Sequence, residues 1–207
     1  MRRQRQTQAS SISGSGISSS RTILLVALAA LSVPARLASG AAQPASTAVN
    51  SALRQLFPTA EKASDLIVRL GPEDIRAARA RNGNVAARES LAVTIASAAG
   101  SALGYVVVDD VKGKDMPITY MVAVDTALRV LDLQILAYRE SYGGEVRNAV
   151  WRRQFVGRSP DEPLRHGREI RNITGATISA RAVTEGVRDL LALLAVTRQR
   201  LVPQEAP

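Results

Sequence analysis

The spacing of the hydrophobic residues changes near residue 90 and divides the chain into a helical part and a strand-forming part. Before that point the apolar positions follow helical spacing in three stretches. These predict a helix that ends at Leu56, a helix over 59–69 and a helix from Pro72 to about Arg81. A proline followed by acidic residues is typical of a helix start. The pattern therefore predicts that residues 43–88 form a helical lead-in segment.

Beyond residue 90 the apolar residues form short runs rich in β-branched side chains and bounded by turn residues. Each run predicts a strand, and the runs lie at 91–97, 103–111, 118–124 and 129–138. The short turns between them predict an antiparallel meander. A long C-terminal helix is predicted over 178–196 from its single apolar stripe. The predicted fold class is α+β, with an antiparallel sheet of about four strands flanked by helices.

The most distinctive stretch lies just before the C-terminal helix, where Gly175 and Ala176 separate Thr174 from Thr177. Thr177 falls in the first turn of that helix, whose free N–H groups and positive dipole end favour a phosphate. One interpretation is that Thr177 carries a phosphoryl linkage, and the other is a plain helix cap. Thr174 and Ser179 either contact the phosphate or make ordinary turn and cap bonds.

The composition excludes several kinds of chemistry. The chain has no cysteine and one histidine, His166, so disulfides, thiolate metal sites and iron–sulfur clusters are excluded and a metal site is not expected. No nucleophile, base and orienting residue form a recognisable set, so no catalytic residues are assigned. If the protein is redox-active, a bound cofactor supplies the chemistry.

The first 42 residues have the features of a targeting segment. Four arginines flank an apolar run from Ile23 to Val33, and small residues follow it. This arrangement is typical of a secretory signal, and the run is short for an N-terminal membrane anchor, which is the alternative. Without the five arginines of residues 1–40 the formal charge falls from +9 to +4. The high net charge therefore does not indicate a nucleic-acid partner.

Three segments, in this order, resemble the FMN-binding domain of the G subunit of the Rnf electron-transport complex and of the C subunit of the sodium-pumping NADH:quinone reductase. The first, Glu140 to Glu145, resembles the family's Glu-Thr-Pro-Gly turn. The second, Trp151 to Arg158, is similar to the family's Trp…Phe/Trp-x-Gly-Lys stretch, and the third, Thr174 to Ser179, to its Ser-Gly-Ala-Thr-x-Thr motif. The FMN-binding domain is predicted over residues 89–200.

The resemblance implies that FMN is esterified through its phosphate to Thr177, with Gly175 and Ala176 allowing close approach. An FAD:protein FMN transferase makes this bond outside the cytoplasmic membrane, so the protein is expected to be periplasmic or at the outer face of that membrane. It would be an electron carrier rather than a stand-alone enzyme, with neighbouring redox proteins, membrane-bound ones among them, as partners.

The resemblance also marks residues beside the acceptor as candidates for flavin contact. Glu140, Gly143 and Gly144 either contact the flavin or form a turn that needs positive φ. Trp151 either shields the flavin ring or packs in the core.

Two residues depart from the family's pattern. Arg171 lies six positions before Thr177, where the family usually has an acid, and Glu169 is out of register. Tyr142 replaces the family's proline and is available to stack on the flavin. The Arg171 departure keeps two alternatives open, namely an exported non-redox binding or scaffold module without flavin, and a reversible FMN binder.

Overall fold

The structure, a computed structural model, describes residues 42–82 and 85–203, which lie within one compact unit. The predicted signal or anchor, residues 1–42, lies outside the described residues except for Ala42. In the part of the chain that is described, no helix is long and apolar enough to cross a membrane.

Five antiparallel strands form one sheet, and they lie side by side in the order in which they occur along the chain. They are β1 (Lys62–Arg69), β2 (Ser90–Ala98), β3 (Ser101–Lys112), β4 (Pro117–Asp125) and β5 (Val130–Ala137). The helices are α1 (Ala42–Leu56), α2 (Pro72–Asn82), the short α3 (Ala149–Arg152) and α4 (Thr177–Thr197). The α+β class, the meander and the long C-terminal helix are confirmed.

The predicted helix over 59–69 is wrong, because Lys62–Arg69 is strand β1. It pairs along its length with β2, from Lys62 opposite Ser97 to Arg69 opposite Ser90. Short apolar runs fit helical and strand spacing equally well, and pairing with a neighbouring strand decides between them. The lead-in segment is therefore helix, strand and helix, and the sheet gains a fifth strand.

The central strands of the sheet have apolar residues on both sides, and a hydrophobic cluster covers each side. On β4, Tyr120 and Val122 face a core that includes α2 and α4, whereas Met121 and Ala123 face the smaller cluster that includes α1. This alternation is the expected consequence of the two-residue period of a strand.

Gly186 lets α4 lie close to the sheet. A Cβ at this position would clash with the side chain of Val111 on β3 and would lie 2.9 Å from the Tyr120 hydroxyl. The apolar stripe of α4 is buried from Val183 to Leu194. The beginning of α4 is thereby held beside the β3–β4 turn and the segment that follows β5, where the candidate site lies.

Asp189 on α4 gives the fold a pH dependence. Burial raises the pKa of its carboxyl from 3.8 to about 6, against the opposing effect of the neighbouring Arg188 guanidinium. The folded state therefore binds this proton more tightly than the unfolded chain does, so Asp189 lowers stability as the pH rises from about 4 to 6.

Asp189→Asn should therefore stabilise the protein at pH 7, where the cost of the buried charge is fully present. We expect a gain of about 1 kcal/mol in the free energy of unfolding, reduced because the site is partly solvated. The gain should disappear near pH 4. Urea unfolding at the two pH values checks this, and an equal gain at both would contradict the assigned cause.

Candidate functional site

Thr177 is the first residue of α4, and the residue that caps the helix is Ala176. Ala176 has φ −125° and ψ 25°, and no side chain caps the helix. The interpretation of Thr177 as a plain helix cap is therefore wrong. The first N–H groups of α4 have no intrahelical acceptor, as at every helix start, and are available to an anion.

The turn before α4 exposes the threonine. Gly175 has φ +83°, a conformation that favours glycine, and a Cβ there would meet nothing within 4 Å. The Ala176 N–H donates to the Ile173 carbonyl at 3.0 Å. Thr174, Gly175 and Thr177 are exposed, whereas Ala176 is buried. Gly175 therefore turns the chain without filling the space in front of Thr177.

Thr177 lies in a cleft of about 410 Å³, within the volume range of small-molecule sites. The cleft is lined by three segments distant in sequence, which are the β3–β4 turn, the segment after β5 and the start of α4. Its lining residues are Lys114, Asp115, Glu140, Ser141, Tyr142, Gly143 and the run 175–179. Tyr142 is 84% exposed and Ile178 53% exposed, so two large side chains with exposed apolar surface border Thr177.

Ser179 joins α4 to the segment after β5. Its hydroxyl is buried and donates to the Tyr138 hydroxyl at 2.8 Å, while the Tyr138 hydroxyl donates to the Tyr142 carbonyl. Burial raises the pKa of Tyr138, so its hydroxyl stays protonated at ordinary pH. The Ser179 hydroxyl is thus engaged in holding the cleft wall.

Gly143 and Gly144 differ in what their positions require. Gly143 has φ +93°, and a Cβ there would lie 2.7 Å from the Ser179 hydroxyl and clash with the Tyr138 hydroxyl. Gly144 does not have a positive φ, and its Cβ would lie 3.9 Å from the Tyr138 ring. The predicted need for positive φ is confirmed at Gly143 and wrong at Gly144.

Glu140 holds the β3–β4 turn against the segment after β5. Its carboxylate accepts from the N–H of Asp115 at 3.0 Å and from that of Met116 at 3.3 Å. Because Lys114 and Asp115 line the Thr177 cleft, this contact fixes one wall of it. A direct contact between Glu140 and a flavin stays a prediction.

Trp151 is 5% exposed and packs edge to face against Phe155, with ring centroids 5.1 Å apart. Its indole N–H donates to the Arg171 carbonyl at 2.9 Å. The side-chain oxygen of Gln154 accepts from the Arg171 N–H at 2.9 Å. Trp151 belongs to the core and anchors the chain that leads to Thr174, which agrees with the core interpretation. Shielding of a flavin ring by Trp151 stays a prediction.

A second cleft, of about 760 Å³, is lined by residues that include Trp151, Arg171 and Thr174. Arg171 is exposed there, and among the described residues its guanidinium has no ion-pair partner. Glu169 is bound instead by Arg165, at 2.7 Å, which lowers the pKa of Glu169 to about 2. The acid nearest to the expected position is thus already paired.

The family comparison covers the region that contains Thr177. Residues 113–192 match the family model of the FMN-binding domain. This segment is similar to FMN-binding domains. The matched span includes the β3–β4 turn, the segment after β5 and the first sixteen residues of α4, so every wall of the Thr177 cleft lies inside it.

Two further comparisons add little to the family match. Among solved structures the chain is similar to NqrC of Shewanella oneidensis, at 14% identity and a TM-score of 0.49. The similarity covers 72% of this chain and 87% of NqrC. At that level it establishes no shared function. The comparison with curated proteins gives no match.

The arginines between residues 152 and 168 do not converge on Thr177. Arg152 donates to the Leu133 carbonyl and lies 3.9 Å from Asp132, and Arg158 is bound to Glu162. None of the five arginines in this stretch lines the Thr177 cleft (Arg152, Arg153, Arg158, Arg165 and Arg168). Within residues 42–82 and 85–203, no group of three metal-ligating side chains comes together.

Three residues of the site were missed in the sequence. Lys114 is the one cation that lines the Thr177 cleft among the described residues, Tyr138 supports Ser179, and Asn172 donates to the Thr177 hydroxyl at 3.2 Å. Lys114 lies in a recognisable turn, but no sequence pattern places that turn beside Thr177. Asn172 lies close to the motif, and its polar side chain was the available signal.

Proposed function

We propose that this chain is an exported electron-transfer flavoprotein that carries FMN esterified through its phosphate to Thr177. The observation that carries the proposal is the exposed residue Thr177, at the start of α4 and inside the region of the family match. The family match supports FMN as the cofactor. Covalent attachment, export and the partners are the parts that the proposal adds.

The residues of the cleft fit the phosphate of FMN. The free N–H groups and positive end of α4 favour a negative charge beside Thr177, by about 0.3–1 kcal/mol at an exposed site. Lys114 supplies a positive charge in the same cleft, and Asp115 partly offsets it. Tyr142 and Ile178 offer exposed apolar surface for the flavin ring.

The attachment needs a donor of an activated FMN group, and FAD supplies it. The Thr177 oxygen attacks the flavin-side phosphorus of FAD, the oxygen–phosphorus bond forms, the anhydride bond breaks and AMP leaves. The hydroxyl proton passes to solvent or to a base of the FAD:protein FMN transferase. An unhindered hydroxyl suits this reaction, and Thr177 projects beside two residues with small or absent side chains, Gly175 and Ala176.

A covalent cofactor is consistent with function outside the cell. The N-terminal arginines and apolar run support export to the periplasm or to the outer face of the cytoplasmic membrane. A covalently held flavin cannot diffuse away there. The flavin supplies the redox chemistry, and the protein positions it for neighbouring, partly membrane-bound redox proteins.

Arg171 favours a second candidate, in which the same fold is an exported scaffold without flavin. Its guanidinium is exposed where the resembled family usually has an acid. If a transferase requires that acid, Thr177 would stay unmodified.

The flavin content of protein purified from its native host tests these alternatives. The proposal predicts yellow protein with the visible absorption of an oxidised flavin, and this colour stays with the polypeptide after denaturation and gel filtration. Release of the flavin on denaturation would identify a reversible binder. Colourless protein would contradict the proposal and favour the scaffold.

A further inference from the structure

Three side chains form a hydrogen-bonded row that ends at the Thr177 hydroxyl. The Asn172 side-chain nitrogen donates to Thr177 Oγ1 at 3.2 Å, and the Asn172 side-chain oxygen lies 3.1 Å from His166 Nε2. Asn172 and Thr177 are exposed and His166 is half-buried. The row therefore lies at the surface that a transferase must reach.

The fold fixes Asn172 from the residue before it. Both backbone polar groups of Arg171 make hydrogen bonds. Its N–H donates to the side chain of Gln154, and its carbonyl accepts from the indole N–H of buried Trp151. Asn172 thus follows a segment anchored to the core, although its own side chain is exposed.

His166 is brought back to Asn172 by a closed turn. The Gly167 N–H donates to the Ile170 carbonyl at 2.8 Å, and Ile170 is completely buried. Arg165 and Glu169 close the same turn with two guanidinium–carboxylate bonds of 3.1 and 2.7 Å. The contact between His166 and Asn172 is therefore supported on both sides by the fold.

We infer that Asn172 is a positioning residue for esterification of Thr177 and that His166 sets the orientation of the Asn172 amide; this rests on the proposed function. When His166 Nε2 donates to the amide oxygen, the amide nitrogen must face Thr177. The side-chain N–H of Asn172 then donates a hydrogen bond to one lone pair of Thr177 Oγ1. Asn172 leaves the other lone pair and the hydroxyl proton of Thr177 unused.

Asn172 exchanges no proton in this step. The bond from Oγ1 to phosphorus forms, the anhydride bond of FAD breaks with loss of AMP, and the hydroxyl proton goes to solvent or to the transferase. During this step the side-chain N–H of Asn172 faces Thr177 Oγ1, which becomes the ester oxygen. The same amide can also donate a hydrogen bond to the phosphate attached to that oxygen. Asn172 therefore favours both the orientation of the nucleophile and the product.

The rate of covalent labelling tests this role. The full chain is incubated with FAD and the FAD:protein FMN transferase, and the gain of mass is followed over time. Asn172→Ala should label about 3- to 10-fold more slowly, the value of one hydrogen bond. Asn172→Asp should be slower still, because a carboxylate cannot donate to Oγ1 and repels the incoming phosphate.

Variants of His166 and a control complete the design. His166→Ala should slow labelling by about 2- to 3-fold, and His166→Gln should restore the rate because its amide can donate to Asn172. Arg168→Ala, an exposed change in the same turn, should label at the wild-type rate. All variants should melt within about 2 °C of the wild type, as expected for surface changes.

The results separate this inference from the proposed function. If the wild type is labelled and both Asn172 variants are labelled at the same rate as the wild type, the inference is overturned and the proposed function stands. Equal slowing of Asn172→Ala and Asn172→Asp with a lowered melting temperature would also overturn it, as a folding effect. No mass gain in the wild type would overturn both.

Discussion

Thr177→Ala is expected to abolish covalent flavin, whereas Thr177→Ser is expected to retain it. Alanine removes the only atom of the side chain that can form the phosphoester, while serine keeps the hydroxyl at the same place on α4. Because Thr177 is exposed and does not cap the helix, neither change should alter the free energy of unfolding by more than about 0.5 kcal/mol. Intact mass and visible absorbance of protein co-expressed with the transferase measure the effect.

Thr174→Ala is the matched control for this prediction. Thr174 is also exposed, precedes the same Gly-Ala pair and lines the larger cleft instead of the Thr177 cleft. It should keep the mass increment. Covalent flavin on the Thr177→Ala variant would show that the attachment site is another residue and would contradict the proposal. Loss of covalent flavin in the Thr174→Ala variant alone would do the same.

Gly143→Ala is expected to have the largest effect on stability, with a loss of roughly 2–4 kcal/mol from backbone strain and overpacking together. Gly143 has φ +93°, and an added Cβ would collide with the Tyr138 hydroxyl and approach Ser179 to 2.7 Å. Relief of that collision would separate the segment after β5 from the start of α4. The cleft would then widen, so labelling of Thr177 should slow as well.

Gly144→Ala provides the comparison at the neighbouring position. A Cβ there is in ordinary contact with the Tyr138 ring, at 3.9 Å, and the backbone has no positive φ. We expect a change of about 0.5 kcal/mol or less. Chemical denaturation of both variants measures the difference, and similar losses at the two glycines would show that the Tyr138–Ser179 contact does not limit the space at Gly143.

Local sequence signals were sufficient for most elements of the fold. The proline and acids at the start of α2, the β-branched runs of β2 to β5 and the apolar stripe of α4 each depend on residues close together in the chain. β1 was missed because Ala63, Leu66, Ile67 and Leu70 also fit helical spacing. Its pairing with β2 is a contact between segments distant in sequence, which spacing alone does not report.

The candidate site was predictable where one residue carries the chemistry and unpredictable where the fold brings residues together. The sequence placed Thr177 at the start of a helix, and the structure agrees. It did not show that the Ser179 hydroxyl is bound to Tyr138, that Glu140 holds the β3–β4 turn, or that Trp151 anchors Arg171. These candidates support the cleft through contacts between segments, and none of those contacts has a local signature.

Lys114 is a cleft residue whose role also depends on contacts between distant segments. It was only part of a turn signal in the sequence, yet hairpin pairing and the Glu140 contact place it in the cleft that contains Thr177. The electrostatics around Thr177 therefore depend on a residue far from it in sequence.

Peptide mass spectrometry after co-expression with the transferase tests directly whether Thr177 carries FMN. Trypsin should release residues 172–181, because arginine precedes and ends this segment, and the peptide contains Thr174, Thr177 and Ser179. We expect an added mass of FMN minus water, assigned by fragmentation to Thr177. An unmodified peptide, or an increment on Thr174 or Ser179, would contradict it.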